Sequence, residues 1–165
     1  MRLRRTQPDD ATTLQPFSLG PLDAAWLQEV AEILHGLLGW ESDPAAHGLG
    51  REVAVLEDDD GGVVGVAAHE TLVDTDGRVY LNHRYLMVTA IRHDRQRGGL
   101  ARLLVESVAL DLQRRGVASL SWLVHPANHA SVAFSRSVFP DADETYPPED
   151  RPYAAFTLWL DEPSR

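Results

Sequence analysis

Ile91-Arg92-His93-Asp94-Arg95-Gln96-Arg97-Gly98-Gly99-Leu100-Ala101-Arg102-Leu103-Leu104 is the segment on which the reading of this chain turns. Before it, Arg78–Ile91 reads as a long strand, with Val79, Leu81, Tyr85, Met87, Thr89 and Ile91 on one parity. A run of that length commonly carries a bulge. After it, Gly99–Arg115 reads as a helix: Leu100, Leu104, Val108 and Leu112 recur every four residues, with Leu103 alongside, and Gly116 suits the end. Between strand and helix lies a basic loop with two glycines. The first amides of a helix lack intrahelical partners and sit at the positive end of its dipole, so such a loop is suited to hold an anion, most naturally phosphate. Gly98 and Gly99 allow close backbone approach, and Arg95, Arg97 and Arg102 add charged donors. The Gly-Lys-Ser/Thr ending of the P-loop is absent, as is the G-x-G-x-x-G of dinucleotide folds.

Working outward, Glu52–Glu57 and Val63–Glu70 are apolar runs separated by Asp58-Asp59-Asp60-Gly61-Gly62, the pattern of a hairpin. Asp74-Thr75-Asp76-Gly77 is another turn. Leu22–Leu38 has helical periodicity, Glu41–Arg51 reads as a loop, and Arg2–Arg5 as a short edge strand. After the long helix, Val117–His125 reads as a strand and Asn128–Phe139 as a short helix capped by Asn128. The proline-containing tract Pro140–Pro152 reads as a loop, and Tyr153–Leu160 as a closing strand. The order predicts an α/β (α+β) fold in one domain over residues 1–165, with helices on the sheet faces.

The chain has 165 residues and no cysteine, which removes disulfides, thiolate metal sites and a cysteine nucleophile. The histidines show no metal-ligand spacing, so no metal is expected. No apolar run reaches the ~20 residues of a membrane helix, and no apolar segment follows Met1–Arg5, so a cytoplasmic location without membrane contact is expected. The net charge of −10 disfavours nucleic acid. Seven of the fifteen basic residues nevertheless fall between Arg84 and Arg115, which suits a small anionic ligand. The bland reading of most single charges is a solvated face.

Gln96, Gly99 and Ala101 fill the three places of a Gln/Arg-x-x-Gly-x-Gly/Ala motif. Here the chain resembles the GNAT superfamily of acyl-CoA N-acyltransferases, in which that motif lies between a long bulged strand and a helix. The following strand and the Asn128-led helix fit the same layout, so the resemblance spans about residues 20–160. It implies a mainly antiparallel mixed sheet with a splayed central strand pair. It implies acetyl-CoA, or another acyl-CoA, as co-substrate and a small-molecule or peptidyl amine as acceptor. Thr89, Ala90 and Ile91 would offer backbone groups to the pantetheine arm. Arg97, Gly98, Gly99, Leu100, Ala101 and Arg102 would hold the pyrophosphate, and Asn128 would contact the pantetheine or the thiol region. The resemblance also allows a homodimer through a strand, for which Tyr153–Leu160 would serve.

One position departs from the family. A tyrosine that protonates the leaving thiolate often stands seven residues after the asparagine; here Ser135 stands there, a far weaker acid. Ser135 acting through water, Tyr146, or solvent alone are the alternatives. Amide formation needs a neutral amine and hence a route for its proton. Glu70 and His83 are the leading candidates for the base, with Tyr85 and His125 behind them; the ordinary reading of each is a half-buried polar residue with a satisfied hydrogen bond. A non-catalytic acyl-CoA-binding regulatory module is the runner-up, favoured by Ser135. A phosphate-binding protein without acyl chemistry ranks third.

Overall fold

The computed structural model describes residues 1–6, 19, 28, 32, 50–74, 76–146 and 153–160. Gln28 and Glu32 are helical and exposed; the rest of the expected Leu22–Leu38 helix, and most of the Glu41–Arg51 loop, lie outside the described residues. Among the described residues the architecture is mixed α+β, with seven strands and, besides helical Gln28 and Glu32, two helices. The strands are β1 (Arg2–Arg5), β2 (Glu52–Glu57), β3 (Val63–Val73), β4 (Val79–Ile91), β5 (Ser119–Val124), β6 (Asp143–Thr145) and β7 (Ala154–Trp159). The helices are α1 (Leu100–Arg114) and α2 (His129–Val138), and a single 3-10 turn covers His93–Arg95. The chain folds as two compact units, Met1–Glu70 with Val88–Val108 and Thr71–Met87 with Ala109–Arg165.

In the first unit, β1 and β3 flank β2, both antiparallel to it. Val53, Ala54, Val55 and Leu56 of β2 and Val63, Val64, Val66, Ala67 and Ala68 of β3 are all buried. Neither strand alternates apolar with polar, because a strand buried on both faces has no solvent side. The β2–β3 turn is a three-residue loop: Asp58 N–H donates to the Gly62 carbonyl, Gly61 N–H donates to the Asp58 carbonyl, and Gly61 has φ +79°. Only glycine takes that left-handed conformation without cost. Asp58 Oδ1 fastens the turn by accepting from Gly62 N–H at 2.7 Å. Arg4 and Arg5 of the edge strand pair with Glu57 and Glu52 at 2.7 and 2.9 Å. The first part of α1 packs its Leu104 against β3 at Gly65, where Ile91 also arrives.

In the second unit the strands run β4-β5-β7-β6. The β4–β5 pair is parallel and its register covers His83↔Ser119 to Tyr85↔Ser121; the β5–β7 register goes on to Val124. The Asp74–Arg78 turn repeats the geometry of the first hairpin, with Gly77 at φ +79°. Asp74 accepts from the amides of Arg78 and Asp76 and from the Tyr80 hydroxyl. These donors, the Arg78 amide foremost, hold its carboxyl below the ordinary value. Between the Asp74–Arg78 bond and the Arg92–Val64 bond lie nine residues of β3 and thirteen of β4, so the extra residues are on β4.

The stripe α1 buries is Leu104, Val105, Val108, Ala109 and Leu112, while Leu103 is left exposed. The helix ends with Val117 N–H bonded to the Leu112 carbonyl and Gly116 N–H to that of Gln113, around Gly116 at φ +76°. This paired ending satisfies carbonyls that would otherwise be orphaned.

The tract Pro140–Pro152, expected to be loop throughout, contains β6. Asp143, Glu144 and Thr145 pair with Thr157, Phe156 and Ala155 of β7. Of Asp-Glu-Thr only the threonine favours a strand; side-chain contacts supply what propensity does not. Trp159 Nε1 donates to Asp143 at 2.8 Å, and Arg136 of α2 donates to both Glu144 oxygens at 2.9 and 2.7 Å. The Tyr146 hydroxyl donates to the same carboxylate. Arg136 first, then Tyr146, pull the Glu144 pKa from the ordinary 4.5 to about 2. A depressed folded pKa stabilises above the unfolded value and is lost on descent through the folded one. The Glu144→Gln variant should therefore melt below the native protein at pH 5, with the difference closing between about 4.5 and about 2. A carbon-13 titration of the Glu144 carboxyl with a midpoint near 4.5 would refute this.

Candidate functional site

The first unit holds Glu70, the end of β4 at Thr89, Ala90 and Ile91, and the loop from Gln96 to Arg102. β4 ends where Arg92 N–H bonds the Val64 carbonyl at 2.9 Å. The Arg92 guanidinium donates to the Val63 carbonyl at 3.2 Å and to both oxygens of Asp94 at 2.7 and 3.2 Å. That pairing keeps the Asp94 carboxyl below its ordinary value. Arg95 faces Asp58 of the hairpin turn at 3.5 Å.

Gln96 has a definite structural task. Its Nε2 donates to the Ile91 carbonyl at 3.1 Å, closing the loop on the strand it leaves. A donor is required there, which gives the motif's Gln/Arg choice a physical basis. Gln96→Glu would set a carboxylate against a carbonyl and cost about 1–3 kcal/mol. We expect roughly tenfold weaker CoA binding for Gln96→Glu and near-native binding for Gln96→Arg, read by calorimetry.

Beyond Gln96 the backbone turns left-handed twice, at Arg97 (φ +69°) and Gly99 (φ +74°). Arg97 is the one non-glycine residue with positive φ among those described. Such a conformation costs roughly 1–2 kcal/mol without a glycine, and strain of this kind collects at functional loops. A side chain at Gly99 would meet nothing within 4 Å, so backbone conformation, not space, calls for glycine there. Leu103 N–H to the Gly99 carbonyl is the first bond of α1. The amides from Arg97 to Arg102 thus have no hydrogen-bond partner among the described residues. The Arg97 side chain is exposed and unpaired among the described residues, while Arg102 is shared with Glu106 at 2.8 Å. On β4, Thr89 Oγ1 is buried without a partner among the described residues, and Ala90 and Ile91 are buried. Unpaired amides at a helix start and a waiting hydroxyl on the adjoining strand fit a diphosphate with an arm laid along β4.

Glu70 is half-buried and held by Arg51, whose Nε and Nη2 lie 2.8 and 2.7 Å from Oε2. Sequence reasoning missed Arg51. The hairpin register could have found it, since Glu52 pairs with His69 and the next cross-strand pair is Arg51 with Glu70.

The second unit holds His83, Tyr85, Asn128 and Ser135. His83 Nδ1 lies 2.7 Å from Ser119 Oγ, and its ring meets Tyr80 and Trp159 edge-on. Tyr85 is half-buried opposite Ser121, on the same face as His83 by the two-residue period. Ser135 is 2% exposed and its hydroxyl accepts from Trp122 Nε1 at 2.9 Å. Trp122 alternates with Ser121 on β5, so Ser135 lies across the sheet from His83 and Tyr85. These residues therefore do not converge within this unit. Trp122 stacks on Phe156 and meets Phe139 edge-on, which makes Ser135 a partner in a packed aromatic cluster. Asn128 Oδ1 accepts from Ser131 N–H at 3.1 Å and caps α2, as expected. His125 accepts from Ala127 N–H. The Tyr146 hydroxyl is engaged by Arg136 and Glu144, and the carboxylate beside it raises its pKa, making it a poorer acid.

Comparison with known proteins extends these observations. The sequence profile described as "Acetyltransferase (GNAT) family" matches residues 12–139. No curated protein matches the chain in sequence. Among solved structures, a protein of the GNAT family from Desulfovibrio desulfuricans is similar at TM-score 0.71 and 18% identity, covering 96% of this chain and 98% of that one. The ribosomal-protein-S18-alanine N-acetyltransferase of Escherichia coli is similar at TM-score 0.65 and 21% identity, covering 99% and 96%. YncA of Salmonella typhimurium, solved with acetyl-CoA, is similar at TM-score 0.64 and 19% identity, covering 99% and 96%. At these identities the likeness shows the fold.

Proposed function

Because the chain belongs to the acetyltransferase (GNAT) family and is an acyl-CoA-dependent N-acetyltransferase, we propose that it carries the acetyl group of acetyl-CoA to a primary amine by direct attack in a ternary complex. The observation that carries this reading is the run of amides from Arg97 to Arg102, unpaired among the described residues and shaped by left-handed Arg97 and Gly99. Those amides hold the diphosphate, with Arg97 adding a cation. Thr89, Ala90 and Ile91 receive the pantetheine arm as an added strand would be received, and the Thr89 hydroxyl gains the partner it lacks. The family resemblance assigns Asn128, which caps α2, to the pantetheine or the thiol region.

In the reaction the amine nitrogen forms a bond to the thioester carbon, and the C–S bond breaks. The nitrogen loses a proton and the thiolate gains one, so the products are an amide and free CoA. Glu70 is the base this reading favours. His83 is committed to Ser119, and the facing of Tyr85 is shared with it. The thiolate takes its proton from solvent, because Ser135 is buried against Trp122 in the aromatic cluster and the Tyr146 proton is given to Glu144. A peptidyl α-amine belongs with small amines among the acceptors to be tried, since two structural neighbours are named as acetyltransferases of a ribosomal-protein alanine.

The test is calorimetric binding of CoA, followed by thiol release from acetyl-CoA with polyamines, aminoglycosides, lysine peptides and peptides with a free N-terminus. Submillimolar binding and thiol release with at least one amine is the expected result. Binding without release across the panel would leave only a binding module; the Ser135–Trp122 bond is what favours that second reading.

A further inference from the structure

Arg51 meets Glu70 at a single carboxylate oxygen: its Nε donates to Oε2, and its Nη2 pairs with the same atom. Nε and Nη2 lie 2.8 and 2.7 Å from Oε2, and no donor among the described residues reaches Oε1. Arg51 is the residue before β2, opposite Glu70 by the register that pairs Glu52 with His69. Period two along β3 puts Glu70 on the face away from Gly65, hence away from Leu104 of α1. The side chains of the pair are 24% and 15% exposed, enough shelter to hold one geometry and enough access for an incoming group.

The depth of Glu70 is informative. Val64 lies level with Arg92, where the cofactor loop begins. Six residues further along β3, at about 3.3 Å each, place Glu70 roughly 20 Å from that level. An arm of four to five extended residue lengths, about 15 Å, fixed at the loop and laid back along β4, ends a few ångströms short of it. A carboxylate at that depth meets the reacting end of the cofactor, not its phosphates.

We infer that Arg51 is a positioning residue: by occupying Oε2 it aims Oε1 of Glu70 at the acceptor, a cationic primary amine. This rests on the acetyl-transfer reading above. Oε1 receives an N–H of the arriving ammonium, which surrenders one proton to solvent. When the neutral amine has attacked the thioester carbon, its nitrogen is positively charged and acidic. Oε1 then accepts one proton as the C–S bond breaks, and solvent returns a proton to the departing sulfur. Two guanidinium nitrogens on one oxygen hold that oxygen in place more firmly than a single-point donor would, and leave Oε1 uncovered.

The test uses the full chain with acetyl-CoA and the amine from the panel that the native protein turns over fastest. Arg51→Ala should lower kcat/KM for the amine at least tenfold, leave KM for acetyl-CoA unchanged, and recover in part in Arg51→Lys. Added to Glu70→Gln, it should cost little more, because it acts through that carboxylate. Multiplying losses, or native turnover in Arg51→Ala, would overturn the inference. A second readout needs no turnover. The carbon-13 carboxyl signal of Glu70 should shift on titration with butylammonium in the native protein and shift at least several-fold less in Arg51→Ala. Equal shifts in both, or none in the native protein, would also overturn it. Failure of CoA to bind, or of every amine to react, is read separately and sinks the acetyl-transfer reading itself.

Discussion

Replacing Ala101 by aspartate is expected to abolish CoA binding without weakening the fold. Ala101 is the second residue of α1, half-buried, at the start of a helix whose first amides are unpaired among the described residues. For the folded chain alone a carboxylate there is favourable, since an acid in the first turn answers the helix dipole by about 0.3–1 kcal/mol. For a diphosphate aimed at the same amides it is a rival of like sign. Two unit charges roughly 5 Å apart at an effective dielectric near 20 repel by about 3 kcal/mol, and the ligand carries more than one. A loss of more than about 100-fold in affinity follows. The two readouts then move apart: calorimetry loses CoA while the melting temperature stays level or rises. Arg102→Gln is the milder comparison, because Glu106 already shares that guanidinium; a few-fold loss is expected. Native CoA affinity in Ala101→Asp would remove the Arg97–Arg102 amides from the binding site altogether.

That the loop could be read from sequence at all has a local cause. A glycine that must turn left-handed, a helix that must start and a side chain that must close back on its own strand all act within ten residues, so their signal is local too. The hairpin turns were legible for the same reason: Asp58 with Gly61, and Asp74 with Gly77, each settle a turn by themselves. Legibility ends where partners come from afar. β6 is a strand because β7, Arg136 and Trp159 hold it there, and within Asp143–Thr145 only the threonine leans that way. The facing of His83 and Tyr85 depends on where β4 accommodates its extra residues, and counting along the strand cannot place them. Ser135 invited an acid role by its spacing from Asn128, whereas its hydroxyl is turned into the aromatic cluster by Trp122, thirteen residues away on β5. Arg51 lay in a stretch read as loop, and only the hairpin register brings it to Glu70.

The glycine at position 65 shows how far the cofactor loop depends on packing behind it. Glycine is a poor strand residue, and Val63-Val64-Gly65-Val66 would by propensity prefer valine throughout. The space refuses it. A Cβ at Gly65 would stand 2.9 Å from Ile91 Cδ1, 3.2 Å from Leu104 Cδ2 and 3.4 Å from Leu56 Cβ, all in buried side chains. Gly65→Val must push aside the last residue of β4 and the first buried turn of α1, the two ends between which the loop is strung. Overpacking of this kind costs about 1–3 kcal/mol, and valine with two further methyls belongs at the top of that range. Improved strand propensity returns at most about 1 kcal/mol. At about 2–4 °C per kcal/mol for a chain of this size, a net loss near 2–3 kcal/mol lowers the melting temperature by roughly 4–12 °C. Because Ile91 also carries the carbonyl that Gln96 grips, CoA affinity should fall with stability. Trimming the nearest neighbour, as Ile91→Val in a Gly65→Ala background, should restore part of both. A Gly65→Val protein that melts and binds CoA like the native one would mean that α1 does not rest on β3 at this point, and that the loop takes its shape from elsewhere.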